Sequence, residues 1–234
     1  MSFCPEAAGQ KLIFAFTQLV SASLFSAPAD EESMSMLTRE EWDERYRRPD
    51  YWAGREPISF LCQVLPMLPS GRALDIASGE GRNAVFLAQH GWQVTGIERS
   101  AAGIEKAAAL AATRGVRVVA ESEAHAAGCL RLVQADLEQY ELPARAFDVV
   151  TVSYYLQRSL FPAIQRALRP GGALVYETYT IQQLEYPHGP RSPEHLLQPG
   201  ELRDAFPDLE ILFYAESNAG KATASLLARK PKRP

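Results

Sequence analysis

Between Ala73 and Asn83 the chain reads Ala-Leu-Asp-Ile-Ala-Ser-Gly-Glu-Gly-Arg-Asn. A short apolar run ends in a carboxylate and passes straight into a tight glycine turn. Ala84 to His90 then reads as a helix, and after Gly91 a second apolar run, Trp92 to Ile97, ends in another acid, Glu98. A strand, glycine turn, helix and strand with acids at both strand ends is how an open α/β sheet grips an adenosine-containing cofactor.

The rest of the chain can be read around this unit. Thr38 with Glu41 three residues on forms a capping box that opens a helix carrying Trp42 and Tyr46. Pro49, Gly54 and Pro57 punctuate a loop, and Ile58 to Leu68 reads as a second helix that stops at Pro69-Ser70-Gly71. From Arg72 the pattern alternates: strand at Ala73 to Ile76, helix at Asn83 to Gln89, strand at Gln93 to Ile97, helix at Ala101 to Thr113. Such alternation implies a parallel sheet with right-handed crossovers. For the third strand, Gly128 to Val133 is preferred over Gly115 to Val119, because it leads directly to another strand-end acid, Asp136. Phe147 to Ser153 reads as a strand buried on both faces, with a helix at Leu160 to Leu168 and a strand at Ala173 to Glu177. A long loop rich in proline and glycine follows, and Leu209 to Ala215 with Ala222 to Ala228 form a terminal antiparallel hairpin.

Length and composition narrow the function. The 234 residues suit one α/β domain over residues 37–234, after an N-terminal extension over residues 1–36 that reads as disordered. Within that extension, Lys11 to Ala29 resembles a secretory signal, but Gln18, Ser21 and Ser23 interrupt its apolar run and it is too short to span a bilayer. A net charge of −4 with scattered basic residues provides no footprint for a nucleic acid. The expected partner is therefore a small molecule, with neither nucleic acid nor membrane, and the chain reads as a monomer or homodimer. The three cysteines show no metal spacing, so they read as free thiols of a reducing, cytoplasmic compartment, with Cys62 a buried structural thiol.

The acids separate two cofactor classes. In a dinucleotide fold a pyrophosphate sits on the helix N-terminus after the first strand. Asp75 would repel a pyrophosphate there but favours the ammonium or sulfonium of S-adenosylmethionine. Gly79-x-Gly81-x-x-Ala84 alone satisfies a loose dinucleotide fingerprint. Asp136 adds weight, because an adenine amino group is a donor that needs an acceptor.

These residues resemble the class I S-adenosylmethionine-dependent methyltransferases. Asp75 to Gly81 is similar to their first motif, with Ala77 where glycine is commonest. The resemblance implies that Glu98 binds both ribose hydroxyls and that Asp136-Leu137 takes the adenine. It also implies a Rossmann-like, seven-stranded, mostly parallel sheet with helices on both faces and a C-terminal antiparallel hairpin. Trp42 to Tyr46, followed by Gly54-x-Glu56-Pro57, resembles the entry segment of the thiopurine and tellurite-resistance methyltransferases, and Gly79 to Asn83 resembles the latter in particular. Ser153 to Arg158 and the loop from Tyr186 to Pro199 are more similar to uncharacterised bacterial-type methyltransferases.

The candidate cofactor-binding set is Asp75, Ala77, Ser78, Gly79, Gly81, Arg82, Asn83, Glu98, Arg99, Asp136, Leu137 and Ser153. The candidate substrate-binding set is Trp42, Tyr46, Tyr154, Arg158, Glu177 and Tyr179, since strand ends four and five face a ligand in such a sheet. His188 and His195, in the long loop with Arg191, are either lid bases or solvent-exposed. No residue is assigned as catalytic, and no metal is expected. The function read from this is methyl transfer from S-adenosylmethionine to a thiol, a chalcogen oxyanion or a carboxylate. The alternatives are an NAD(P)-dependent oxidoreductase of related fold, lowered by the lack of a Tyr-x-x-x-Lys pair, and a non-catalytic cofactor-binding module.

Overall fold

The computed structural model describes residues 38–232. The expected extension over residues 1–36, with its signal-like stretch, lies outside them.

Capping makes the first helix, α1 (Arg39–Tyr46). Thr38 Oγ1 accepts from the Glu41 amide at 3.2 Å, and the Thr38 amide donates to the Glu41 carboxylate at 2.6 Å, the expected box. Helix α2 (Ser59–Val64) tightens into a 3-10 turn over Leu65–Met67, where Pro66 removes a backbone donor. The alternating unit then runs as β1 (Arg72–Ile76), α3 (Arg82–Gln89), β2 (Gln93–Glu98) and α4 (Ala101–Thr113). After it come β3 (Arg117–Val118), β4 (Cys129–Gln134), β5 (Phe147–Ser153), α5 (Phe161–Ala167), β6 (Leu168–Tyr179), a one-turn α6 (Glu201–Asp204), β7 (Glu210–Ser217) and β8 (Thr223–Arg229).

The sheet has eight strands in the order β3-β4-β2-β1-β5-β6-β8-β7, with the first six parallel and β8 and β7 antiparallel. Seven strands were expected. The eighth is β3, because both candidates for the third strand are used: Arg117 and Val118 pair in parallel with Cys129 and Leu130. Leu168, expected to end the preceding helix, instead opens β6 and pairs with Phe147 before a register shift, and the chain runs on through Gly172 into the expected strand at Ala173.

Period-2 alternation splits the core into two layers. Leu74, Ile76, Val150, Val152, Leu174 and Tyr176 face one side with Ile164 and Phe206. Ala73, Val94, Val149, Val175 and Leu227 face the other with Leu87 and Leu110 of α3 and α4. Asp75 stands two positions beyond Ala73 and Glu177 two beyond Val175, so alternation carries each acid onto the second face, where its strand ends. Among the described residues no helix is long and apolar enough to cross a membrane, and no cluster of His, Cys, Asp or Glu is able to hold a metal ion.

Candidate functional site

The turn after β1 needs left-handed backbone at alternate positions: φ is +52° at Ala77, +53° at Gly79 and +85° at Gly81. Ala77 adopts this conformation despite its Cβ, a local strain on the order of 1 kcal/mol. Gly81 caps α3 so close to α4 that an added Cβ would lie 2.6 Å from Ala107 Cβ. Glu98, at the end of β2, holds the turn in place. Its two carboxylate oxygens accept from the amides of Gly79 and Ser100, each at 2.9 Å, and burial raises its pKa despite these bonds.

Asp75 and Thr151 are register partners on β1 and β5, which sets the Thr151 hydroxyl 2.7 Å from Asp75 Oδ1. Asp75 Oδ2 is buried with no partner, and burial pushes the carboxyl up to about 7. Ser78 Oγ is likewise buried and unpartnered. Buried polar atoms of this kind are rare and mark a place where a ligand or water completes the bonding.

The entry segment is stitched over this turn. Asp43 accepts from the Ser100 hydroxyl at 2.5 Å and the Ala102 amide at 3.2 Å, and these bonds hold its carboxyl below the usual range against the opposing effect of burial. The latch joins α1 to the N-terminus of α4. It presses the buried Tyr46 ring onto the turn, so that a Cβ on Gly79 would stand 2.9 Å from the Tyr46 hydroxyl and one on Gly103 3.1 Å from its ring. Trp42 stacks on Tyr46 at 5.2 Å. Both aromatics, expected at the substrate, thus lie on the glycine-turn side of the site. Glu80 pairs with Lys106 at 2.8 Å and accepts from the Ala53 amide, whose carbonyl takes a bond from Arg82. Asn83 accepts from the Ile58 amide at 3.0 Å and donates to Ser153 Oγ at 2.7 Å, tying the entry segment to the end of β5.

A second cluster forms where β5 and β6 end. Tyr154 has φ +53°, a genuine outlier for a bulky residue. Its amide donates to the Glu177 carbonyl at 2.8 Å and its hydroxyl to the Glu177 carboxylate at 2.7 Å, while Ser225 of β8, in register with Glu177, donates to the other oxygen at 2.8 Å. The Tyr179 ring lies 5.1 Å from that of Tyr154. Arg82 lies over the Tyr154 ring at 5.4 Å and Lys221 at 4.3 Å, and the Lys221 ammonium donates to the Tyr154 hydroxyl. Burial and the Glu177 charge push the phenol well above its ordinary value, and Lys221, though exposed as a residue, is pulled down by desolvation of its ammonium against the Tyr154 ring. Lys221 was missed in the sequence, since it sits in a hairpin connection with no motif spacing.

Asp136 follows β4 on the exposed side, its Oδ1 accepting from the Glu138 amide at 3.0 Å, while Leu137 is buried. The Ala135 amide bonds the Glu98 carbonyl at 3.0 Å, which brings this strand end, with Arg99, beside Glu98.

Arg158, read as orienting an anionic substrate or forming a surface salt bridge, makes the salt bridge: it grips Glu201 with Nε and Nη2 at 2.5 and 3.0 Å and donates to the carbonyls of Glu194 and Leu196, so it pins the long loop. Cys62 is exposed rather than buried, because α2 turns Phe60, Leu61 and Val64 inward, and burial of its flank with the Glu56 charge raises its thiol pKa. It lines a hollow of about 560 Å³ with Phe86, His90 and Arg114, between α2 and α3. His188 is exposed in the loop, and Arg191 donates to the Leu184 and Tyr186 carbonyls.

A mostly parallel sheet, a glycine turn between buried strand-end acids, and an antiparallel hairpin beside β6 make the Rossmann-like fold seen in class I S-adenosylmethionine-dependent methyltransferases. Residues 74–176 match the family described as "Methyltransferase domain". The chain is 31% identical over 128 residues to a malonyl-[acyl-carrier protein] O-methyltransferase of Herminiimonas arsenicoxydans, covering 53% of this chain and 43% of that protein. It therefore spans less than half the length of that relative. It is 26% identical over 194 residues to a ubiquinone biosynthesis O-methyltransferase of Bordetella avium, covering 74% of this chain and 76% of that one. A solved structure described as "Conversion of a Disulfide Bond into a Thioacetal Group during Echinomycin Biosynthesis" shares the fold with a TM-score of 0.62 at 21% identity, over 84% of this chain and 93% of the other.

S-adenosylmethionine is the cofactor of this class, and the residues present fit it. The unpartnered Asp75 oxygen is an acceptor awaiting a donor or a cation, and each Glu98 oxygen keeps a further lone pair for a hydroxyl. Glu98 suits the ribose of either cofactor class, whereas a pyrophosphate provides neither a donor nor a cation to Asp75.

Proposed function

We propose that the chain moves the methyl group of S-adenosylmethionine to an oxygen nucleophile of a small molecule. The observation that carries this reading is the buried Asp75 oxygen without a partner beside the glycine turn. The two O-methyltransferase relatives support an oxygen acceptor, and the reading of a small one rests on the resemblance of Trp42 to Pro57 to the entry segment of small-molecule enzymes.

When bound, the cofactor supplies an electrophilic methyl on a sulfonium whose departure as a neutral thioether drives the displacement. In this reading Asp75 takes the ammonium, Glu98 the ribose hydroxyls, and Asp136 with Leu137 the adenine. Ser78 Oγ offers a further hydrogen bond. Ala77, Gly79 and Gly81 let the backbone approach the cofactor closely. Tyr46 and Trp42 cover that side and shut out water, a competing nucleophile. Asn83 and Ser153 fix the distance between the turn and the end of β5, where Tyr154, Glu177 and Tyr179 receive the acceptor. Alignment of this kind removes several kcal/mol from a displacement barrier.

Calorimetric titration with S-adenosylmethionine, S-adenosylhomocysteine and NADH tests the reading, with Glu98→Gln as control. Saturable binding of both sulfur cofactors, weakened in the variant, is expected. Binding of NADH alone would point to an oxidoreductase, and no binding at all to a non-catalytic module.

A further inference from the structure

Lys221 belongs to no motif, yet it is firmly held. The neighbouring Ala222 amide donates to Gln183 Oε1 at 2.8 Å, the Gln183 side chain donates to the His188 carbonyl at 2.7 Å, and the Thr180 amide donates to the Ala222 carbonyl at 3.0 Å. Tyr186 adds a bond to the Asn218 carbonyl. The long loop and the hairpin connection therefore interlock, and the product of that interlock is an ammonium fixed over the Tyr154 ring.

Charge and donor arrangement indicate what this cluster receives. Arg82 and Lys221 both approach Tyr154; Glu177 faces Lys221, and Arg82 faces Asp75 on the turn side as well. Both Glu177 oxygens already hold hydroxyls, from Tyr154 and Ser225. The group best placed to deprotonate an acceptor is thus engaged, and the Tyr154 phenol is a donor to it. A site with two cations over one ring and an engaged base suits an acceptor that arrives already ionised.

We propose that the acceptor is a carboxylate, drawn to Lys221 and Arg82 at the ends of β5 and β6, and that the product is a methyl ester. The proposal rests on the methyl-transfer reading above. One carboxylate oxygen forms the O–CH3 bond with its lone pair as the S–CH3 bond breaks, and that bonding pair stays on sulfur. A sulfonium cation and a carboxylate become two neutral groups at the reacting centre, and no proton moves. Two cations at separate positions also match the two oxygens of a carboxylate better than the single atom of an alkoxide or thiolate.

Benzoate and its neutral counterpart benzyl alcohol are suitable probes, because the site is walled by the Tyr154 and Tyr179 rings. Each is titrated calorimetrically into the full chain saturated with S-adenosylhomocysteine, alongside Lys221→Met and Lys221→Arg. Benzoate is expected to bind at least about tenfold more tightly than benzyl alcohol. Lys221→Met should weaken benzoate about ten- to a hundredfold, the range for loss of a charged hydrogen bond. S-adenosylhomocysteine affinity should stay unchanged, and Lys221→Arg should restore most of the benzoate binding. Absent or equal binding of the two probes by a chain that takes up S-adenosylhomocysteine overturns the carboxylate proposal. So does a Lys221→Met variant that leaves benzoate unaffected or weakens S-adenosylhomocysteine as much. A chain that fails to take up S-adenosylhomocysteine refutes the methyl-transfer reading itself.

Discussion

Replacing Asp75 by Asn should remove a pH dependence of stability that the wild-type fold carries. The Asp75 carboxyl is raised from an ordinary 3.8 to about 7, chiefly by burial, so the folded chain holds its proton over a range in which the unfolded chain has lost it. The stabilising effect of that proton is fully present below about pH 4, falls away as the pH rises, and is gone above about pH 7. A displacement of this size corresponds to about 4 kcal/mol, of which about 2 kcal/mol falls between pH 5 and pH 7. For a chain of this size that is roughly 4 to 8 °C in Tm. Thermal unfolding of wild type and Asp75→Asn should be followed across this range without cofactor. The Tm of wild type relative to the variant should drop through the window and level off above it. The comparison isolates Asp75, because Glu98, whose carboxyl is also raised, is common to both proteins. Saturating S-adenosylhomocysteine should flatten the wild-type curve, since an ammonium beside Asp75 favours the ionised form. Parallel curves for the two proteins without cofactor would refute the assignment of a protonated, buried Asp75.

Gly81→Ala combines a positive φ with a Cβ 2.6 Å from Ala107 Cβ, and should cost on the order of 2 to 4 kcal/mol of stability in denaturant unfolding, with loss of cofactor binding. Arg158→Ala removes the guanidinium that joins Glu201 to the Glu194 and Leu196 carbonyls; it should speed limited proteolysis within residues 180–200 while leaving S-adenosylhomocysteine affinity within about twofold.

What the sequence made readable was whatever depends on neighbours along the chain. The Thr38–Glu41 box, the span of α4 from Ala101 to Thr113, and the glycine turn between β1 and α3 follow from capping, propensity and φ preference over a few residues. The terminal hairpin is likewise signalled by Asn218-Ala219-Gly220 between two apolar runs. The features that were missed depend on partners far away in sequence. A two-residue strand such as β3 has no periodicity of its own and exists because β4 offers it an edge. Arg158 looks free until Glu201, 43 residues on, closes on it. Lys221 reaches Tyr154 across 67 positions, through a loop whose course no local rule dictates. Cys62 was misjudged from its apolar neighbours, because a single turn of helix settles which of adjacent residues faces inward.

The strand order has a consequence for how the chain matures. β8 follows every other strand in sequence, yet in space it lies between β6 and β7 and pairs with both. As the chain emerges from a ribosome, β6 can dock on β5, but its other flank stays open until both β7 and β8 have been synthesised. β7 cannot shield that flank, since its ladder is made with β8 alone. The buried apolar stretch Ala173 to Tyr176 therefore waits unpaired on one side for roughly three seconds or more at ordinary elongation rates. Vectorial synthesis thus leaves this edge uncovered for that interval, whereas a chain refolded from denaturant has all its strands available at once.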